Sequence, residues 1–371
     1  MKPTASLTLG SSRYDAHLNA LTVVLATLPA PGVCRAVLPY AAEVTAVPGD
    51  PASVDLTGLE LASGGLGGLA GAALGAVGGG GLGGALGGLA GLAGGAPPGR
   101  VLTGTVRSVR RGLGGTEVEI ADAGAALAAY RPATTFTATT AADVVSALAG
   151  DAGAATGRVE LDLPLAAYVA DQARTAAEHV ARLATLAGGV ATVGADGALN
   201  ATPLADEPTV ALRHGREVLA YDVTGSRETT APPVAVGNGP AGAAAAPNAL
   251  RPTPDPLPEG VPEAGTGAVW EAFASLRTPA AALAATGALQ ARTTARAGRV
   301  RARCVLVPSL RPGDVVEVQD LPLGLSEGPW LLTRVEHRLG AGGVTELDGV
   351  RAVAAGGGLL AALAGAIGSL L

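Results

Sequence analysis

Aromatic residues and cysteine are scarce in this 371-residue chain. Aromatic residues make up 2%, so the cores must be built from valine, leucine and alanine. The two cysteines, Cys34 and Cys304, lie far apart in sequence and each falls in a predicted strand. Such spacing excludes a disulfide framework and fits a reducing compartment. We expect both thiols to be buried, unpaired and inert.

Positive charge is also limited. The formal net charge is -6 at pH 7, and Lys2 is the one lysine, so arginine carries nearly all the positive charge. Nucleic-acid binding needs a basic surface that neutralises phosphates, so nucleic acid is not predicted as a partner. The N-terminal stretch MKPTASLTLGSSRYD has no apolar core of the kind found in secretory signals. We therefore expect assembly in the bacterial cytoplasm.

A catalytic constellation is missing as well. The histidines, His17, His179, His214 and His337, are dispersed, and no HExxH, C-x-x-C, G-x-S-x-G or phosphate-binding glycine loop occurs. His179 follows Glu178 on a predicted helix, where adjacent side chains point apart, so we interpret it as an exposed or core-edge residue. The sequence predicts no enzyme, no cofactor and no metal site.

Three carboxylates lie close in sequence, at Asp151, Glu160 and Asp162. Glu160 and Asp162 are predicted to share one face of a strand, a spacing at which carboxylates can bind a cation. A solvated surface is the simpler interpretation, because charged side chains on one strand face usually point into water.

The segment with the most consistent local signals runs from Tyr130 to Leu204. Thr140 with Asp143, and Thr175 with Glu178, have the spacing of helix capping boxes. A Gly-Gly pair then ends the second helix, and VATV, an Asp-Gly turn and ALNATPL predict a hairpin. This order predicts a compact α/β module.

Short β-branched runs on both sides of the module predict strands. Before it stand LTVVLATL, VCRAVL, EVTAV, VDL, and a hairpin formed by VLTGTVRSVRR and TEVEIAD. After it stand TVALRHG, REVLAYDVTG, PPVAVGNG, RVRARCVLV, DVVEVQDLP and WLLTRVEHRLGAGGVTEL. The alternating arginines of RVRARCV predict one solvated strand face. Thr278-Pro279 is typical of a helix start, and that helix is predicted to continue toward Gly298.

Three segments have a biased composition. Residues 61–98 contain almost only glycine, alanine and leucine, which fits a flexible apolar insertion or a membrane- or lumen-contacting element. Residues 240–275 are rich in proline and predict an extended, exposed linker. In the tail, residues 353–371, four apolar residues share a helical face and favour a docking helix: Leu360, Leu363, Ile367 and Leu370.

The C-terminal strands repeat the order of the N-terminal ones. VCRAVL, a Pro48-Gly49-Asp50 turn, a strand and a hairpin with a Gly-Gly turn come first; RCVLV, a Pro312-Gly313-Asp314 turn, a strand and a similar hairpin come last. Agreement of order and spacing favours duplication. Three such subunits in a ring would present six similar units, so a trimer could mate with a six-fold ring. We therefore take both turns and the apolar tail stripe as candidate assembly elements.

The predicted fold class is α+β, mainly β, with two related tube-like β-domains, an inserted α/β module and a Pro-rich linker. The predicted boundaries are a first β-domain at 1–130, the module at 131–205, additional strands at 206–239, the linker at 240–275, a second β-domain at 276–352 and the tail at 353–371.

Several ordered motifs resemble the phage late control D / VgrG-type baseplate hub family. They cover most of residues 100–235 and 276–350, through TFTATTAADVVSALAGDAG, LPLAAYVADQARTAAEHVARLATLAGGVATVGADGAL, LRHGREVLAYDVTG and TPAAALAATGALQAR. The matching positions are Thr140, Asp143 to Val145, Gln172, Leu183, Leu186 to Ala187, Gly194 to Gly197, and Leu310 to Asp314. The chain departs from the family in carrying Val180 where relatives commonly have an aromatic, and the 61–98 insertion has no counterpart.

The resemblance implies a homotrimer of two tube-like β-barrel domains with α/β decorations and no active site. Such a hub joins a hexameric inner tube protein to a trimeric spike protein and contacts other baseplate components. The chain ends about twenty residues after Val350, without a repetitive β-helical spike, so a separate spike protein is expected. Two alternative functions remain: an envelope-associated protein anchored through residues 61–98 or 353–371, and a tail-associated hydrolase.

Overall fold

Strands make up most of the regular structure. The computed structural model describes residues 3–15, 18, 20–59, 99–205, 207–225, 232–237, 269–322, 325–340 and 342–354. The N-terminal strands are β1 (Thr4–Leu9), β2 (Ser12–Tyr14), β3 (Ala20–Ala26), β4 (Val33–Leu38), β5 (Pro51–Thr57), β6 (Arg100–Gly112) and β7 (Gly115–Ala121).

The middle of the chain mixes helices and strands. Its elements are α1 (Ala123–Ala129), β8 (Thr134–Thr140), α2 (Ala141–Asp151), β9 (Thr156–Val159), β10 (Pro164–Ala170), α3 (Ala176–Leu186), β11 (Gly189–Val193) and β12 (Leu199–Pro203). The C-terminal elements are β13 (Val210–Arg213), β14 (Val218–Gly225), β15 (Pro233–Gly237), β16 (Val269–Phe273), α4 (Pro279–Arg296), β17 (Gly298–Val305), β18 (Val315–Leu321), β19 (Leu325–Leu339) and β20 (Gly343–Arg351).

The same five-stranded unit occurs twice. The first unit has the sheet order β3-β4-β7-β6-β5, and the second has the order β14-β17-β20-β19-β18. Within each unit all neighbours are antiparallel, and the strands follow the same order along the chain. The units join edge to edge, because β19 also pairs with β3, and the result is one 13-stranded sheet.

Alternation of apolar and polar residues explains why these runs are strands. In β17, Val300, Ala302 and Cys304 are buried, while the intervening arginines are exposed. Period-2 alternation places one set on the core face and the other in water. The predicted solvated arginine face is confirmed.

Each unit has its own core. The first is built around residues such as Leu7, Val23 and Ile120, and the second around residues such as Leu212, Cys304 and Trp330. A third core fills the α/β module and includes Leu276, Ala285 and Leu289 from α4 and the turn before it. The module and α4, placed in different predicted domains, therefore share one hydrophobic core. The predicted fold class, mainly β with an inserted α/β module, is confirmed.

Both predicted capping boxes are present. The Thr140 hydroxyl accepts a bond from the Asp143 amide, the Thr175 hydroxyl accepts one from the Glu178 amide, and each carboxylate accepts a bond back from the threonine amide. These reciprocal bonds satisfy amide groups that a helix start leaves without partners. The predicted hairpin after α3 is observed as β11 and β12.

Other expectations were wrong. EVTAV is not a strand; Val44 and Ala46 turn into the first core from a loop, which gives the segment a strand-like alternation without ladder bonds. Strands β1 and β2 were not predicted. The predicted linker includes β16, which pairs with β15, and its Phe273 is buried, because that strand packs on the module core.

Residues 60–98, 238–268 and 355–371 lie outside the described residues. The expectations for the 61–98 insertion and for most of the linker therefore concern segments outside the described residues and stay predictions. The same holds for the tail residues Leu360, Leu363, Ile367 and Leu370. Among the described residues no helix combines the length and apolarity needed to cross a bilayer.

Candidate assembly interface

The two Pro-Gly-Asp turns have the same side-chain hydrogen bond. The Val47 amide donates to Asp50 Oδ2 at 2.9 Å, and the Arg311 amide donates to Asp314 Oδ2 at 2.7 Å. In each turn the aspartate amide donates back to the carbonyl of that same residue, at 3.2 Å in both cases. Aspartate is common in turns because its side chain can accept a hydrogen bond from the backbone of the turn in this way.

The glycines of the two turns are equally matched. Gly49 has φ +98 and Gly313 has φ +95, a region that favours glycine. The Gly49 amide donates to the Val106 carbonyl at 2.8 Å, and the Gly313 amide donates to the Leu332 carbonyl at 2.8 Å. Val106 and Leu332 then donate to the carbonyl of their turn's aspartate, at 2.8 and 2.9 Å. These bonds make Val106 and Leu332 equivalent positions.

A β-bulge follows at the same point in each unit. The ladder between β6 and β7 shifts between Val106 and Ser108, and the ladder between β19 and β20 shifts between Leu332 and Arg334. A bulge bends its strand, so the same bend is built into both units. Turn, register and bulge together support a duplicated unit.

The register also makes two ion pairs equivalent. Arg35 lies opposite Glu119 and Arg301 lies opposite Asp348, with nitrogen–oxygen distances of 3.1 and 3.0 Å. Continuing this alignment along β4 and β17 pairs Cys34 with Val300. The two cysteines are therefore not equivalent positions, although each lies in the corresponding strand.

The surroundings of the two turns differ sharply. Pro48 and Gly49 are exposed, and a Cβ on Gly49 would have nothing within 4 Å. Pro312 is buried, and a Cβ on Gly313 would lie 3.5 Å from a methyl group of Thr192 in the module. The second turn is thus enclosed within the subunit, and the first faces outward.

Arg311 anchors the second turn to the first unit. Its guanidinium donates to the carbonyls of Arg100 and Val101, at 2.6 and 2.9 Å. Beside it, Thr103 donates to the Ala195 carbonyl at 2.7 Å, which ties the module hairpin to β6. The first and second units therefore meet at the Arg311 side chain, and the module joins the first unit beside it. Arg311 belongs to the Leu310 to Asp314 motif of the sequence analysis, but nothing in the sequence indicated that its side chain binds β6.

Two carboxyl groups at junctions between elements have raised pKa values. Burial raises the pKa of Asp314 to about 6, although its bond from the Arg311 amide opposes this. Burial likewise raises the pKa of Asp122 to about 6, against bonds from the Gly32 and Gly124 amides at 3.0 and 2.9 Å. Desolvation disfavours the charged form of a carboxyl, which explains the direction in both cases.

The described histidines, His179, His214 and His337, do not form an acid–base site; His17 lies outside the described residues. His179 is buried, contrary to expectation; its Nδ1 lies 2.8 Å from the Tyr168 hydroxyl and its Nε2 lies 3.0 Å from the Asp171 carbonyl. These bonds fix α3 on β10. His337 is buried too, and desolvation lowers its pKa to about 3, so it is neutral at physiological pH.

Other candidate residues are structural or exposed. Cys34 and Cys304 are buried free thiols, as predicted, and burial raises the pKa of Cys304 to about 12. Glu160 and Asp162 point into water from a segment after β9 and not from a strand. Within the described part of the chain no group of three or more metal-ligating side chains comes together.

Among the open strand edges of the described residues, two belong to the repeated units. β14 pairs with β17 on one side, and the second half of β6, after Val106, pairs with β7 on one side. Apart from an isolated bridge between Val218 and His214 at the start of β14, neither has a described partner on its other side. The equivalent edges in the other copies, β3 and the second half of β19, pair with each other inside the subunit. An unpaired edge is a template for another chain.

No family model matches the sequence, and no curated protein matches it. Solved structures do. The 43 kDa tail protein of prophage MuSo2 from Shewanella oneidensis aligns with 94% of this chain and 98% of its own, at TM-score 0.61 and 17% identity. A tail protein from Neisseria meningitidis MC58 aligns with 95% and 97%, at TM-score 0.63 and 14% identity.

A third solved structure comes from a secretion machine. An E. coli protein described as a component of the type VI secretion system, with structural similarity to T4 bacteriophage tail proteins gp27 and gp5, aligns with 93% of this chain and 76% of its own. The TM-score is 0.54 and the identity 9%. At these identities the likeness establishes a shared fold, that of phage tail and tail-like proteins.

Proposed function

We propose that this protein is a structural baseplate hub of a phage-like tail or contractile injection system, and not an enzyme. Its fold is shared over nearly the whole length with phage tail proteins. Family motifs in the correct order, at Thr140 to Val145 and at Leu310 to Asp314, support the narrower assignment to a late control D / VgrG-type hub.

The observation that carries the proposal is the repeated five-stranded unit with an open edge at each end of the repeat. Within one subunit the first unit joins the second through a strand edge. A further subunit can join through the remaining edges in the same way. A head-to-tail contact of this kind generates a ring if the rotation closes. Three subunits contribute six units, the number needed to match a six-fold tube.

The two units are alike in strands and turns but unlike in their insertions. The module follows β7 and has no counterpart after β20 in the described residues. A ring of three subunits would therefore be six-fold only in its repeated strands and three-fold at the surfaces formed by the modules. We propose that the repeated strands meet a hexameric inner tube protein and that a separate trimeric spike protein binds the same hub. Assembly would take place in the bacterial cytoplasm with other baseplate components.

Native mass spectrometry of the full chain tests the trimer. We expect three times the 35.8 kDa subunit mass. Co-expression with the tube and spike proteins of the same gene cluster should give a stable ternary complex. A strictly monomeric protein that binds neither partner would contradict the proposal.

A further inference from the structure

The contact between the two units inside the subunit gives the geometry for the contact between subunits. β3 runs antiparallel to the second half of β19, with Leu21 opposite Leu339, Val23 opposite His337, and so on to Ala26 opposite Arg334. These pairs are the template; this inference rests on the proposed ring.

The ladders supply the equivalent residue on each side of that template. On β3, Val23 lies opposite Cys34, and on β14, Val223 lies opposite Val300 at the position equivalent to Cys34. Val223 is thus equivalent to Val23, and Asp222 to Thr22. Strands β6 and β19 are aligned by counting from the shared bulge. Ser108 of β6 is then equivalent to Arg334 of β19, and Gly112 to Arg338.

We propose that β14 of one subunit pairs antiparallel with residues 109–112 of the next. Within the subunit Thr22 lies opposite Arg338, so Asp222 lies opposite Gly112 across the interface. Two pairs further along, Thr224 lies opposite Arg110. The occupant of each open edge is therefore a second copy of this chain.

The charges at these edges favour the pairing. Asp222 is exposed on β14, and Arg110 is exposed on β6, two residues from the position opposite Asp222. Diagonal neighbours on one sheet face are within reach of long side chains. Arg110 already binds Glu117 at 2.7 Å, so Asp222 would extend an existing ion pair across the interface.

Exposed apolar residues lie where the same equivalence predicts burial. In the alignment of β4 with β17, Leu38 is equivalent to Cys304. Two positions further along, Tyr40 is therefore equivalent to Leu306. Leu306 is 3% exposed and belongs to the core of the first unit, whereas Tyr40 is 80% exposed. Because Leu306 is buried and the equivalent Tyr40 is exposed, Tyr40 lacks within the subunit the packing partner that Leu306 has.

The missing neighbour is the second unit of the adjacent subunit. Leu306 accepts a bond from Leu59 just beyond β5, and β18 is the equivalent of β5. Tyr40 should therefore pack beyond the end of β18, beside Leu325, which is 57% exposed. Tyrosine is common among residues that dominate interface energetics.

Disulfide trapping tests the register. Residues directly opposite on antiparallel strands have Cα atoms about 4.5–5.5 Å apart, within the range that a disulfide spans. We expect Gly112→Cys with Asp222→Cys to give a covalent trimer on oxidation, and Arg110→Cys with Thr224→Cys to do the same. The matched control, Gly112→Cys with Thr224→Cys, places the thiols on diagonal positions, about 7–8 Å apart, and should not cross-link. The native thiols are buried, so they provide no background.

The outcomes separate this inference from the proposed function. A native trimer in which neither in-register pair cross-links, or in which the diagonal pair does, overturns the register and leaves the hub intact. A wild-type monomer contradicts the hub itself. As a second measurement, Tyr40→Arg should weaken the trimer at least about tenfold by analytical ultracentrifugation. An unchanged dissociation constant would remove Tyr40 from the interface.

Discussion

The Pro48–Asp50 turn and the Pro312–Asp314 turn make the same hydrogen bonds in opposite surroundings. The first is exposed, and the second is enclosed by the first unit and the module. Local chemistry therefore determines the shape of both turns, while their neighbours determine what each turn contributes. The difference lies in the residue that precedes the proline, Val47 in one copy and Arg311 in the other.

Among the substitutions that probe this difference, removal of the Arg311 side chain should destabilise the protein most. Arg311→Ala leaves two carbonyls of β6 without their donors and leaves the Asp314 carboxyl without a nearby cation. Loss of partners for buried groups of this kind costs about 3 kcal/mol or more. We expect a fall of several degrees in the melting temperature, measured by scanning calorimetry.

The matched control is Val47→Ala, which shortens a side chain that is 55% exposed in the subunit. Its melting temperature should stay within about one degree of that of the Tyr40→Arg parent, with both proteins measured at a concentration at which they are monomeric, because exposed substitutions cost little. Equal losses for the two variants would mean that Arg311 does not join the units.

The enclosed aspartate should make stability depend on pH. The folded pKa of Asp314 is raised to about 6 from 3.8, so the folded state binds the proton more tightly than the unfolded state does. Its contribution is complete below about pH 4 and is lost as the pH rises through 6. Two pKa units correspond to an upper bound of roughly 3 kcal/mol.

Asp314→Asn keeps the acceptor for the Arg311 amide and removes the charge. We expect a flatter urea-midpoint profile between pH 4 and 7 than in the wild type. Identical profiles for Asp314→Asn and the wild type would show that burial at this turn is not coupled to stability. Asp122 adds a slope of the same sign, so both profiles retain part of it.

Much of the fold was predictable because its signals are local. Both capping boxes, the hairpin after α3 and the helix at Pro279 depend on residues a few positions apart. His179 was assigned wrongly because its partner, Tyr168, lies on strand β10, outside the helix α3 that contains His179. The candidate turns were found from the sequence, but the enclosure of only one of them was not. It depends on Arg100 and Val101, which lie over two hundred residues from Arg311.

Substitution of either turn glycine should destabilise the protein by a similar amount, although the two turns have different surroundings. Gly49→Ala and Gly313→Ala each place a side chain at φ near +95 to +98, which costs about 1–2 kcal/mol. The nearest atom to a Cβ on Gly313 is 3.5 Å away, an ordinary contact. We therefore expect urea midpoints that fall by similar amounts. A much larger loss at Gly313 would show that the enclosure adds a packing demand that the distances do not reveal.

The smallest effect is expected at the equivalent ion pairs on the exposed sheet face. Arg35→Ala breaks the contact with Glu119, and Arg301→Ala breaks the contact with Asp348. Each arginine side chain is more than 60% exposed, so water and salt screen each pair and its contribution to stability is small. Thermal melts at low and high salt should give small and equal shifts that disappear at high salt. If only Arg301→Ala were costly, the sheet face of the second unit would be in contact with something other than water. In that case the difference between the two copies would extend from their turns to their strands.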